Sequence, residues 1–175
     1  AGFSPLPESP GGGHLFVDIT GTRLLFGHPV DCAARLREEA VRRSGLRPVA
    51  GLAVNRLVSK IGTRVVKPDG FVVIAPGDER GFLHHQEVSL IPGVGAKLLE
   101  RLGLLGIREI GERAGLSDAD AAAFLGRHGA LLRDRARGID TAAPSAHPPG
   151  GRSIRTSRLF DTDTNDAAAL EAALR

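Results

Sequence analysis

Residues 89–107 read SLIPGVGAKLLERLGLLGI. Pro92, Gly93, Val94 and Gly95 interrupt an apolar segment, and Leu98, Leu99 and Leu102 then fall on one face of a helix. The stretch predicts a tight glycine turn opening a helix. Glycine has no Cβ, so its backbone can approach a neighbouring group closely. The start of the following helix leaves backbone N–H groups without intrahelical partners. Lys97 adds a positive charge in the first turn. Such a turn suits an anion; without one it is a glycine-rich bend between packed helices. A dinucleotide fingerprint does not fit. Leu98 stands at its third glycine, and no clear strand precedes it.

Upstream, the pattern alternates. Residues 1–14 are rich in Pro and Gly and read as loop. LFVDI (15–19) reads as a strand ending in a turn at Thr20–Gly21. VDCAARLREEAVRRS (30–44) predicts an amphipathic helix with Ala33, Leu36 and Ala40 on one face, stopped by Gly45. PVAGLAV (48–54) is a near-continuous apolar run, hence a buried strand. Asn55 suits the cap of a helix carrying Leu57, Ile61 and Val65. KPDG (67–70) is a turn and FVVIA (71–75) a further strand. Strands and helices in this order suggest an α/β layer over 1–77. After Pro76 the chain turns to short helices divided by glycines, which predicts an all-helical unit over 78–142. TAAPSAHPPGGR (141–152) reads as a linker, with few packed contacts expected and its main span at 143–152. SIRTSRLF (153–160) starts a strand and TNDAAALEAALR (164–175) a helix.

Composition narrows the function. The chain has 175 residues, 42% hydrophobic and 25% charged, as a globular protein should. Only 4% of residues are aromatic, with no Trp or Tyr, which leaves little on which to stack unpaired bases. The net charge of +3 is modest, although a pI near 9.7 keeps contact with a phosphate backbone open. Lone Cys32 excludes a disulfide framework and a cysteine zinc site. No apolar run approaches membrane-spanning length, and the N-terminus lacks a signal-peptide pattern. With no Met even at position 1, the chain reads as an internal piece of something longer.

Other groups carry less. In NRLVSKIGTRVVKPDG (55–70), Arg56, Lys60 and Arg64 form one helical stripe with Lys67 just beyond, suited to phosphates or simply a solvated face. His84 and His85 would point about 100° apart on a helix and cannot share a metal. His28, His128 and His147 have no carboxylate or Cys at ligand spacing. Glu38–Glu39 and Asp118–Asp120 read as structural, and no nucleophile–base pair suggests a hydrolase.

Taken in order, the segments resemble a Y-family translesion DNA polymerase. FVDITGTRLLFG (16–27) is similar to the family's palm strand and turn. GLAVNRLVSKIGTRVVKPDGFVVI (51–74) resembles its GIA-NK-LAK-A----KP-G segment. LIPGVGAKLLERLGLLGIREIGERA (90–114) resembles the thumb's helix-hairpin-helix, FLGRHGALLRDRARGID (124–140) the close of the thumb, and GRSIRTSRLFDTD (151–163) the opening of the little finger. The resemblance implies an α+β chain: a partial palm at 1–77, a helical thumb at 78–142, a linker at 143–152 and the start of a little finger at 153–175.

The resemblance also implies the chemistry. The palm strand of the family reads E-P-x-S-x-D-E-A-F-L-D-V-T-G, and its adjacent Asp and Glu are metal-binding catalytic carboxylates. Aligned without gaps, Glu8 matches the first Glu, Gly11 replaces the Ser, Gly13 the Asp and His14 the Glu, while Asp18 matches a later Asp that is no ligand. An active family member would use Mg²⁺, which needs hard oxygen ligands. Here the glycine run reads as a site without its carboxylates, so no catalytic residue, metal or cofactor is expected in this sequence. A further catalytic Asp and the fingers belong to a segment before Ala1. The expected partner is DNA, gripped without sequence readout by Gly93, Val94, Gly95, Ala96 and Lys97. Lys67 matches the lysine that approaches the incoming triphosphate. A cytoplasmic, nucleoid-associated DNA-repair role follows, alongside other translesion proteins. Two alternatives stand beside it: a non-enzymatic scaffold, and a parent polymerase active only at full length.

Overall fold

The structure, a computed structural model, describes residues 6–114, 117, 125–126, 129–145, 166–167 and 171. It opens with a hairpin of β1 (Pro7–Gly11) and β2 (His14–Val17), antiparallel with Glu8 opposite Phe16 and Gly11 opposite His14. The expectation of a loop over residues 1–14 is therefore corrected for 7–11. Pro7 and Pro10 lack the N–H of an ordinary strand residue, which makes the segment read as loop. They are tolerated because β1 pairs on one side only and its register shifts between Glu8 and Gly11. The turn needs φ of +89° at Gly11, +61° at Gly12 and +74° at Gly13. Only glycine takes three such conformations in succession without strain.

After the four-residue helix α1 (Arg23–Phe26), α2 spans Pro29–Ser44. His28 caps α2, its Nδ1 accepting from the Val30 N–H at 3.4 Å, and Gly45 closes it at φ +71°. A parallel unit follows: β3 (Ala50–Leu52), α3 (Arg56–Val65) and β4 (Phe71–Val73), with Ala50 beside Phe71. Asn55 caps α3 as its sequence position suggests, its Oδ1 accepting from the Val58 N–H at 3.0 Å. The single layer expected from the strand order resolves into two separate two-stranded pairs among the described residues, β1–β2 and β3–β4.

The helical part comprises α4 (Glu79–His84), a 3₁₀ turn (Val88–Leu90), α5 (Ala96–Leu104), α6 (Ile110–Ala114) and α7 (Gly129–Ala136). Strand-like bonds join the segments before α5 and α6: Val88 N–H donates to Arg108 C=O and Ile110 N–H to Gln86 C=O, each at 2.8 Å. One buried cluster joins α3 and β4 to the later helices. Leu57, Val58 and Ile61 of α3 and Ile74 after β4 pack with Leu83, Ile91, Leu102, Ile110 and Leu132. The boundary expected near residue 77 runs through this cluster. Among the described residues, no helix is long and apolar enough to cross a membrane.

The chain beyond α7 returns to α3 and the hairpin. Asn55 Nδ2 donates to Gly138 C=O at 2.7 Å, Arg56 Nη1 to Ala143 C=O at 3.4 Å, and Ser145 N–H to the Glu8 carboxylate at 2.8 Å. The start of the expected linker is thus tied down. Residues 146–152, most of the segment expected to open a little finger, Asp118–Asp120, His128 and His147 lie outside the described residues.

Asn55→Ala removes both a cap and this return tie, and is expected to cost about 1–2 kcal/mol. Asn55→Asp keeps the capping oxygen and loses the amide donor, so its stability in a urea titration is expected to lie between the two. If Asn55→Ala unfolds at the same urea concentration as the unsubstituted chain, neither bond contributes.

Candidate nucleic-acid interface

Two places were singled out by sequence: the glycine hairpin at 11–14 and the bend at 91–97. Among the described residues, the hairpin brings no set of oxygen ligands together. Gly11 and Gly13 occupy its turn, and His14 is exposed. Glu8, 5% exposed, spends both carboxylate oxygens on the protein itself. Its Oε1 lies 2.8 Å from Arg56 Nη2, and its Oε2 accepts from Ser145. The same guanidinium sits over the Phe16 ring at 4.7 Å. Asp18 is turned to local work. Hydrogen bonds from Thr20, side chain first and then backbone N–H, hold its carboxyl below the usual range.

The bend has a different character. Val94 N–H donates to Ile91 C=O at 3.1 Å, which folds the chain back over Pro92 and Gly93. Gly93 carries φ +90°, so it needs to be glycine on backbone grounds. Gly95 does not: it is extended, at φ −97° and ψ 175°, and serves as the cap of α5. The sequence treats the two glycines alike, and only geometry separates them. Gly95 C=O accepts from Leu98 N–H at 3.0 Å and Leu99 N–H at 2.9 Å, while no side chain caps the helix. The backbone N–H groups of Gly95, Ala96 and Lys97 therefore have no partner among the described residues. All three residues are exposed, and a Cβ added at Gly95 would meet nothing within 4 Å. Unpaired N–H groups, the positive end of a helix and Lys97 together make this an anion-accepting surface.

Sequence reasoning missed the groups behind the bend. Arg64 Nη1 donates to Leu90 C=O at 2.8 Å, and Arg135 Nη1 donates to Pro92 C=O at 2.5 Å. They come from α3 and α7, so no local spacing announces them. The basic stripe on α3 is accordingly mostly engaged: Arg56 on Glu8, Arg64 on Leu90. Lys67 stands exposed beyond the end of α3. His84 and His85 are exposed, their rings edge to face at 4.7 Å, with His85 Nδ1 3.3 Å from Glu109. Glu39 is held to about pKa 2 by hydrogen bonds from Arg42 and Arg43, a surface cluster on α2. No group of three His, Cys, Asp or Glu side chains able to hold a metal occurs among the described residues.

A sequence profile of the impB/mucB/samB family matches residues 1–64. Over 172 residues, 98% of the chain, the sequence is 31% identical to DNA polymerase IV of Dehalococcoides mccartyi strain CBDB1. It is 33% identical over 159 residues, 91% of the chain, to DNA polymerase IV of Halorhodospira halophila. These similarities support a fragment related to the Y-family DNA polymerases. It spans 44% of the length of each of those two relatives. DinB from Sulfolobus solfataricus has a similar fold, at TM-score 0.68 and 22% identity over 78% of this chain and 41% of that one. A post-insertion binary complex of Dbh DNA polymerase matches at TM-score 0.71 and 22% identity over 82% of this chain and 42% of that one.

The resemblance to that family raises the matter of Mg²⁺, and the described residues do not fit it. By that resemblance, the two positions expected to carry carboxylates hold Gly13, which offers no ligand, and His14, a poor one for a hard cation. Glu8, the nearest carboxylate on β1, already neutralises Arg56. Moving it to a metal would strand a guanidinium whose Nε is buried without a partner.

The turn itself is open to test. Gly13 has free space around it, so a substitution there meets only backbone strain. Gly13→Ala is expected to lower the unfolding free energy by about 1 kcal/mol, and Gly13→Asn by less, since Asn tolerates positive φ. Equal urea midpoints for all three proteins would mean that the hairpin turns without left-handed backbone at this position.

Proposed function

We propose that this chain binds the sugar–phosphate backbone of duplex DNA without sequence preference, through Gly93, Val94, Gly95, Ala96 and Lys97, and that it does not itself transfer nucleotides. The observation that carries the proposal is the row of exposed, unpartnered backbone N–H groups at Gly95, Ala96 and Lys97, with no Cβ at Gly95 to hold a phosphate away. This is the chemistry of a helix-hairpin-helix grip: position is fixed on phosphates and no base is read. The names of the relatives, all DNA polymerases, support the same partner. By descent the parts correspond to a partial palm (1–77), a thumb (78–142), a linker (143–152) and the start of a little finger (153–175). Those are labels of ancestry, since one core joins the first two.

The lack of nucleotide transfer rests on Gly13 and His14. Lys67, positioned by family resemblance near an incoming triphosphate, has no metal-holding carboxylates to work with. The setting is translesion DNA repair in the cytoplasm, at the nucleoid. A second reading, a non-enzymatic scaffold in a translesion complex, is favoured by apolar side chains near the hairpin that face outward: Leu15, Leu24 and Leu25 are 60%, 99% and 78% exposed.

Binding is expected to be weak and salt-sensitive. Each neutralised phosphate contributes about −0.9 to the slope of log K against log[salt], so two or three contacts give roughly −2 to −3. Lys97→Ala is expected to weaken all duplexes by a similar factor and to reduce the slope by about 1. Gly95→Val should weaken binding further, because its side chain would stand where the phosphate comes. If both variants bind as the parent does in fluorescence anisotropy, the bend is only a packing turn and the scaffold reading takes its place.

On a primed template with Mg²⁺ or Mn²⁺, no extension is expected above a control lacking protein. Gly13→Asp with His14→Glu is not expected to restore it, since the resemblance implies a further catalytic Asp that no residue of this sequence matches. Template-dependent extension by the unsubstituted chain would overturn the inactive assignment.

A further inference from the structure

We infer that Arg64 and Arg135 are positioning residues for the bend: they hold its carbonyls inward so that its N–H groups face an incoming phosphate. The inference rests on the reading of Gly93–Lys97 as a phosphate grip. A bend in a polypeptide exposes carbonyl oxygens as readily as N–H groups, and an outward carbonyl repels a phosphate. Here the carbonyls of Leu90 and Pro92, on either side of Ile91, are bound to guanidinium groups, at 2.8 Å and 2.5 Å. The guanidiniums arrive from opposite directions in sequence. Arg64 lies on α3, 26 residues before Leu90, and Arg135 on α7, 43 residues after Pro92. A charged donor makes a stronger bond to a carbonyl than a neutral one, and the planar group leaves each carbonyl little freedom to swing out.

Gly93 belongs to the same device. A Cβ at this position would sit 2.9 Å from Arg135 Nη1. The missing side chain thus gives the guanidinium its seat under Pro92, in addition to permitting φ +90°. The division of labour is then clear in chemical terms. Lys97 and the free N–H groups meet the phosphate, whereas Arg64 and Arg135 meet only protein oxygens and set the angle at which those N–H groups point. Neither arginine needs to touch DNA for binding to depend on it.

The slope of the salt dependence separates these roles. In the full chain, Arg64→Ala and Arg135→Ala are each expected to weaken duplex binding about three- to tenfold while leaving the slope of log K against log[salt] unchanged. Lys97→Ala lowers the slope by about 1. The amides of Ile91, bonded to Val88 C=O just before the bend, and Val94, bonded to Ile91 C=O across it, are expected to exchange with deuterium several times faster in both arginine variants. Arg135→Lys keeps a charged donor and is expected to recover most of the lost affinity. Arg64 is exposed, so Arg64→Ala decides the matter should Arg135→Ala fail to fold. A slope reduced by about 1 in the arginine variants would make them phosphate contacts and overturn the inference. Unchanged affinity with unchanged exchange would overturn it as well. If the unsubstituted chain binds no duplex at all, the grip itself is refuted, and the exchange of Ile91 and Val94 still decides whether the arginines hold the bend.

Discussion

Helix α3 lies so close to β3 that residue 51 has no room for a side chain. A Cβ there would fall 2.6 Å from the Ser59 carbonyl oxygen, and Ser59 Oγ donates back to Gly51 C=O at 2.8 Å. That contact fixes the height and rotation of α3, and much else hangs from it. Its buried face carries Leu57, Val58 and Ile61 into the core shared with the later helices. Its cap, Asn55, holds the chain that returns after α7, and its last turn sends Arg64 to the bend. Closely packed interiors transmit such placement because few voids are available to absorb a shift. A displaced α3 would move the exposed N–H groups of the bend even though no residue of α3 belongs to it.

The hairpin carries a second constraint, this time electrostatic. Glu8 and Arg56 face each other with little access to water, and an ion pair removed from water is stable only if its remaining bonding capacity is met. Ser145 and Phe16 meet much of it, the first with an N–H and the second with its ring face. Glu8 is thereby committed to joining the first strand to the chain after the last described helix. The same carboxylate cannot also serve a hard cation. The hairpin is thereby a piece of architecture, in which three glycines make a turn and one glutamate makes a tie.

Much of this was legible in the residues. The parallel unit announced itself through apolar runs around an Asn-capped helix, and the bend through Pro92, Gly93 and Gly95, because each signal is local. β1 was not legible: its two prolines argue against a strand, and only an edge position with a shifted register admits them. Nor could spacing show that Gly93 needs a left-handed backbone while Gly95 is extended. The arginines behind the bend were hidden for a plainer reason. A guanidinium that donates to a carbonyl 26 or 43 residues away leaves no periodic trace. The basic stripe on α3 was visible, but two of its members turn out to be bonded to protein oxygens. Pattern reveals where charges sit on a helix and says nothing of what they have already met.

Those engagements explain how a chain of modest net charge can present a localised anion site. Arg37 is paired with Asp69, Arg42 and Arg43 share Glu39, and Arg56 faces Glu8. Each pairing removes a positive group from the long-range field, and the protein as a whole carries only +3. On the proposed reading, attraction to nucleic acid does not come chiefly from a diffuse positive potential, which salt screens within about 10 Å at ordinary ionic strength. It has to come from short-range donors held in place before the ligand arrives. Backbone N–H groups at a helix start are such donors: they carry no full charge and are fixed by the fold. They also impose little ordering cost when a phosphate docks. With few aromatic side chains to stack on bases, the chemistry proposed for this surface is recognition of the phosphate backbone.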